Sequence, residues 1–114
     1  MHKLCRIDIA KGKRVYQDIE IELRRLAKTL RERFNASTVI VYGSYAHGSL
    51  HEGSDIDILI VGDFEGKFHK RIAEVLDMTW LPIEPLCYTA DEFAEMIKSG
   101  NSLLERALEE GITL

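Results

Sequence analysis

Two short apolar runs constrain this chain most. Val39-Ile40-Val41-Tyr42 is followed at once by Gly43-Ser44, and Ile58-Leu59-Ile60-Val61 is preceded at once by Asp55-Ile56-Asp57. Both runs are short and rich in β-branched residues, which fits buried strands. On a strand, residues i and i+2 share a face, so Asp55 and Asp57 should project side by side where the second strand begins. An antiparallel pairing of the two strands would bring the Gly-Ser turn beside that pair. Adjacent carboxylates repel unless something positive lies between them. A hard divalent cation such as Mg2+ suits them, because it takes oxygen ligands and is usually held by one or two carboxylates plus substrate phosphates. Backbone N–H groups at a glycine turn make a complementary anion site. Carboxylate pair and anion cradle together point to a nucleoside triphosphate.

The segment Tyr42-Gly43-Ser44-Tyr45-Ala46-His47-Gly48-Ser49 through Gly53-Ser54-Asp55-Ile56-Asp57-Ile58-Leu59-Ile60 resembles the signature of the DNA polymerase beta-like nucleotidyltransferases, and in particular the stand-alone minimal members. The resemblance runs over roughly residues 15–114. It implies an α+β nucleotidyltransferase fold, with a mixed three- to four-stranded sheet and helices packed mainly on one face. It implies Mg2+, as two ions, at Asp55 and Asp57; ATP is the expected donor by its cellular abundance, with no base-reading group identifiable. Glu84, on the next strand, would be the third acid, either a metal ligand or the general base for the acceptor hydroxyl. Gly43 and Ser44 would bind the β- and γ-phosphates. His47 departs from the family, where many members carry Arg or Lys. A histidine is only partly charged at neutral pH, so phosphate binding is weaker or another base compensates, with His51, Lys67 and Lys70 as candidates.

The rest of the chain reads as one domain, 1–114. Alternation suggests a short strand at 4–9. Val15, Ile19, Leu23, Leu26, Leu30 and Phe34 recur at helical spacing and predict a helix over 15–34 that ends at Asn35. Strand one is expected at 38–42, then a short helix after the Gly-Ser turn, and strand two at 55–61. A helix over 67–78 should point Phe68, Ile72, Val75 and Leu76 inward. Strand three, 82–88, holds Pro82 and Pro85 and should be an edge strand. Thr89-Ala90-Asp91-Glu92 is a capping box that starts a third helix. It should bury Phe93, Met96 and Ile97 and end at Gly100. A last helix covers 102–110, with Leu103, Leu104, Ala107 and Leu108 apolar. Ile112 and Leu114 then form an apolar end that could meet a second copy or a partner. Tyr42 is expected in the core, Tyr45 could stack on a base, and Trp80 could cover the sheet.

A net charge of −4 argues against a general nucleic-acid binder. Cys5 and Cys87 are too few for a disulfide framework. No apolar run is long enough to span a membrane, so a cytoplasmic protein is expected. Larger nucleotidyltransferases hold their acceptor with extra domains, for which this sequence has no room. Minimal members are often paired with a helical HEPN-type toxin and act as antitoxins by adenylylating its tyrosine. The resemblance therefore implies AMP transfer from ATP to a hydroxyl of such a partner. The alternatives are a non-catalytic nucleotide-binding module that neutralises a partner by occlusion, and a small-molecule or RNA nucleotidyltransferase.

Overall fold

The computed structural model describes residues 13–49 and 55–114. The strand expected at 4–9, Cys5, His51 and Ser54 lie outside the described residues, as does the side chain of Val15. Among the described residues, four helices and four strands follow in the order α1 (Lys13–Phe34), β1 (Thr38–Tyr42), β2 (Ile56–Val61), α2 (Phe68–Leu76), β3 (Ile83–Tyr88), α3 (Ala90–Lys98), α4 (Ser102–Glu110) and β4 (Ile112–Thr113). They form an α+β fold around one mixed sheet of order β3-β2-β1-β4. The β1–β2 pair is antiparallel, as expected, with Tyr42 opposite Asp57. The β2–β3 pair is parallel, with Asp57 opposite Glu84. α2 makes the crossover that a parallel pair requires. β3 is an edge strand, as expected from Pro85 within it and Pro82 just before it.

Side chains alternate across the sheet and divide the core in two. Val39, Val41, Ile56, Ile58, Ile60, Ile83 and Cys87 face α1 and α2 and build the main cluster with Ile19, Leu23, Leu26, Leu30 and Val75. Ile40 and Leu59 face the other way, against Leu104 and Ala107 of α4 and the partly buried Phe93, Met96 and Ile97 of α3. The main face thus carries the larger core, and a thinner layer of α3 and α4 covers the other. Covering on both faces is why β2 reads as an almost unbroken apolar run. By the same alternation Tyr42, Asp57 and Glu84 share the thinner face with Ile40 and Leu59.

Most element boundaries match expectation. Asn35 takes a left-handed conformation (φ 52°) and ends α1. Thr89 and Glu92 form the reciprocal capping box of α3. Other expectations are corrected. The segment after Gly43 is a turn, not a short helix. Gly43 and Gly48 both have positive φ, +72° and +70°, and the bond from the Ser49 amide to the Ser44 carbonyl (2.9 Å) closes a wider loop than a helix allows. Phe68 and Leu76 are not inward. Phe68 stands at the rim against the Tyr88 ring, with centroids 5.3 Å apart, and Leu76 is exposed, as are Leu103 and Leu108 on α4. Trp80 is exposed beside α1 and does not cover the sheet. The apolar end is a fourth strand, with Ile112 opposite Val41. Leu114 is partly buried against the main core, its amide donates to the Val39 carbonyl (2.8 Å), and Arg31 donates to its carbonyl. Among the described residues no helix is long and apolar enough to cross a membrane.

Candidate nucleotide site

The turn and the carboxylates meet because β1 ends where β2 begins. Gly43 leaves β1 at the residue after Tyr42, and Tyr42 lies opposite Asp57. A Cβ built on Gly43 would come within 2.4 Å of Asp57 Oδ2. Only glycine allows backbone and carboxylate to lie this close, and it also takes the positive φ at little cost. The turn uses some of its amides internally. His47 N donates to the Gly43 carbonyl (3.1 Å) and Gly48 N to that of Tyr45 (3.1 Å). The amides of Ser44, Tyr45 and Ala46 have no backbone acceptor among the described residues. That leaves a run of N–H groups of the kind that cradles an anion.

Across the sheet the row reads Tyr42, Asp57, Glu84, with Asp55 just before β2 and exposed. The carboxylates act on one another. Burial pushes the Asp57 carboxyl above its usual range, and the charges of Glu84 and then Asp55 push it further. Burial, with Asp57, Glu84 and Tyr88 behind it, lifts the Tyr42 hydroxyl to about 12. Negative charge is therefore concentrated at this end of the sheet. The donor set, hard carboxylate oxygens repelling one another beside a glycine cradle, fits a divalent cation. Among the described residues no three His, Cys, Asp or Glu side chains form a group that could hold a metal ion. Two carboxylates together with phosphate oxygens would have to complete the shell.

A cavity of about 370 Å3 opens over this row. It gathers Gly43, Ser44, His47 and Asp57 from the expected set. Asp55 and Glu84 stand beside it and reach it through their charge on Asp57. Its remaining wall is α4, through Leu103, Arg106 and Glu110. Nothing in the local sequence marks that helix as part of the site. The available signal was a stripe of mixed character, Leu103, Arg106 and Glu110 at i, i+3 and i+7, beside the buried stripe of Leu104 and Ala107. Tyr42 also lines the cavity, half-buried, where a core position was expected. Tyr45 does not line it. Its ring packs on Tyr16 of α1, centroids 5.7 Å apart. Lys67, which caps α2, and Lys70 are exposed and do not line the cavity.

Comparison with known proteins gives the family and the fold. The sequence profile of the family described as nucleotidyltransferase domain matches residues 23–112. Protein adenylyltransferase MntA of Thermococcus cleftensis is 47% identical over 49 residues, 43% of this chain and 48% of that protein. A candidate protein adenylyltransferase of Methanocaldococcus jannaschii is 31% identical over 61 residues, 54% of this chain and 59% of its own length. The chain spans about half the length of the curated relatives it matches. The crystal structure of a candidate nucleotidyltransferase from Sulfolobus solfataricus has the same fold, with a TM-score of 0.57 at 20% identity over 93% of this chain and 90% of that one.

Proposed function

The chain belongs to the nucleotidyltransferase domain family, and from that premise we propose that it transfers AMP from ATP to a protein hydroxyl. The observation that carries this reading is the row Tyr42–Asp57–Glu84 beneath the Gly43 turn, with the Asp57 carboxyl raised by burial and then by its acidic neighbours. An uncompensated group of acids beside an anion cradle is suited to a metal-bound triphosphate and to little else.

In this reading the amides of Ser44, Tyr45 and Ala46 hold the β- and γ-phosphates. Asp55 and Asp57, with phosphate oxygens, would hold Mg2+, as two ions, and Glu84, which forms no three-acid metal group with them among the described residues, would serve as base. Bound there, the metal would supply stabilisation of the negative charge that develops on the phosphates during transfer. The acceptor oxygen attacks the α-phosphorus in line, and the bond to the bridging oxygen of the β-phosphate breaks. Glu84 is exposed at the edge strand in register with Asp57, where it can take the acceptor's proton on a carboxylate oxygen. Positioning and charge stabilisation carry most of the rate.

A protein acceptor is favoured by the relatives, which are named as protein adenylyltransferases. The finer assignment, a tyrosine on a helical HEPN-type toxin neutralised by this chain as antitoxin, rests on the family resemblance. The test is transfer of label from α-labelled ATP with Mg2+, offered to this chain alone and to the protein encoded beside it. A labelled neighbour that Asp55→Asn/Asp57→Asn fails to label supports the proposal. Measurable ATP binding with no labelled protein would turn the search to small molecules and RNA. Absence of both label and ATP binding would leave a module that acts by occlusion.

A further inference from the structure

His47 leaves the triphosphate without the permanent charge that the turn was expected to carry, and α4 stands across the cavity from it. This helix presents two stripes. Leu104 and Ala107 are buried against Ile40 and Leu59. The adjacent stripe, Leu103, Arg106 and Glu110, lines the cavity opposite Gly43, Ser44 and Asp57. The helix has little freedom to drift. Gly111 follows it so tightly that a Cβ there would lie 2.4 Å from both the Ala107 carbonyl oxygen and Ile40 Cγ2. The next residue, Ile112, is already paired with Val41 of β1. Glu110 Oε1 lies 3.1 Å from His47 Nε2, which ties α4 to the turn itself.

We propose that Arg106 is the permanent cation of the nucleotide site and grips the β- and γ-phosphates, while Glu110 holds His47 and the turn against α4. The proposal rests on the nucleotidyltransferase reading of the cavity. Its ground is charge. Among the described lining residues the acids are Asp57 and Glu110 and the bases are His47 and Arg106. His47 is engaged by Glu110, which leaves the Arg106 guanidinium of the opposing wall to meet the phosphates. A guanidinium binds phosphate oxygens in a two-pronged, charge-assisted geometry. Acids alone would repel a polyanion, so an arginine in the opposing wall converts the cavity from one that admits only a cation to one that admits a metal-bound triphosphate.

The experiment is calorimetric titration of the full chain, its Arg106→Gln and Arg106→Lys variants and Asp57→Asn with Mg-ATP, Mg-ADP and AMP. Arg106 is exposed on a helix and glutamine is a good helix former, so the fold should survive, as circular dichroism will check. Loss of one or two charge-assisted bonds should weaken Mg-ATP binding by Arg106→Gln roughly 10- to 100-fold. AMP, which lacks those phosphates, should weaken by less than about threefold, and lysine should recover part of the loss. Unchanged ATP binding by Arg106→Gln, or equal weakening of ATP and AMP, would overturn the assignment. If that happens while the native chain binds ATP and Asp57→Asn abolishes transfer, the function stands and only Arg106 is misassigned. If the native chain binds no ATP at millimolar concentration, both fall.

Discussion

The two ends of β3 treat their acids in opposite ways. Just past its C-terminal end, Glu92 is fully provided for. Arg71 Nη1 and Nη2 reach its two oxygens at 2.6 and 3.2 Å, and the Thr89 amide donates to it at 2.9 Å. The Arg71 guanidinium, with that amide, holds the Glu92 carboxyl down at about 2. Glu22 on α1 is handled the same way. Arg25 donates to it at 2.8 Å and the Thr79 hydroxyl at 2.6 Å, and its carboxyl is lowered although the residue is buried. At the N-terminal end of β3 the rule reverses. Glu84 lies beside Asp57, and the Asp57 carboxyl is raised by burial and by like charge. A chain that pairs Glu92 and Glu22 this thoroughly and leaves one group in mutual repulsion supports the proposal of a positive ligand at that group.

The largest effect that could break this contrast comes from Asp57→Asn. Transfer should fall roughly 1000-fold or more, since the charge proposed to hold the metal is gone. Urea unfolding should stay within about 0.5 kcal/mol of the native chain or show a gain, because a repulsive charge has been removed. A clear loss of stability would place Asp57 with the structural acids. Next comes Arg71→Met. It strands Glu92 and leaves the Gly66 and Cys87 carbonyls, which now accept from Arg71 at 3.0 and 3.2 Å, without their donor. Breaking one partner of a buried pair typically costs about 3 kcal/mol, and the Glu92 side chain is 44% exposed, so about 2 kcal/mol is expected in urea melts. Nucleotide affinity should be unchanged. A smaller stability loss follows from Gly43→Ala. Its φ of +72° strains any L side chain by about 1 kcal/mol, and the new Cβ must push the Asp57 carboxylate aside. Transfer should drop by a larger factor than stability does, which a paired activity and unfolding measurement would show.

The contrast also explains what could be read from the sequence. The strands, the capping box and the Gly-Ser and Asp-x-Asp elements are local patterns, and each was legible because neighbouring residues determine it. Glu84 was legible because an acid in an otherwise apolar strand needs a reason. Arg71 and Glu22 were not, since each is a charged residue on a helix whose burial depends on what another element brings: Cys87 and Glu92 for Arg71, Thr79 for Glu22. The wall formed by α4 was hidden for the same cause. Leu103, Arg106 and Glu110 look like an ordinary solvated face until β4 pairs with β1 and fixes the helix over the Gly43 turn. Phe68 and Leu76 failed in the other direction, because helical spacing gives a stripe but not how far the sheet extends beneath it.

The smallest predicted effect tests the contrast through sign alone. Glu92 titrates in the folded chain at about 2, below its ordinary value of 4.5. Its contribution to stability is therefore present above about pH 4.5 and is lost as the pH falls toward 2. Solvent around the half-exposed carboxylate reduces that contribution to about 1 kcal/mol. Asp57 is shifted the other way, above its ordinary 3.8. The folded chain holds that proton more tightly, so the protonated acid favours folding at low pH, and the benefit is lost as the pH rises through the folded value. Urea midpoints between pH 2 and 7, in chelator so that no cation intervenes, should separate the two. Glu92→Gln should flatten the acid-side loss of the native chain. Asp57→Asn should steepen it, because the native chain's partial offset at low pH is gone. The two difference curves against the native chain should therefore slope in opposite directions. Curves of the same slope would mean that Glu92 and Asp57 are held alike, and the proposed site would lose the electrostatic distinction that supports it.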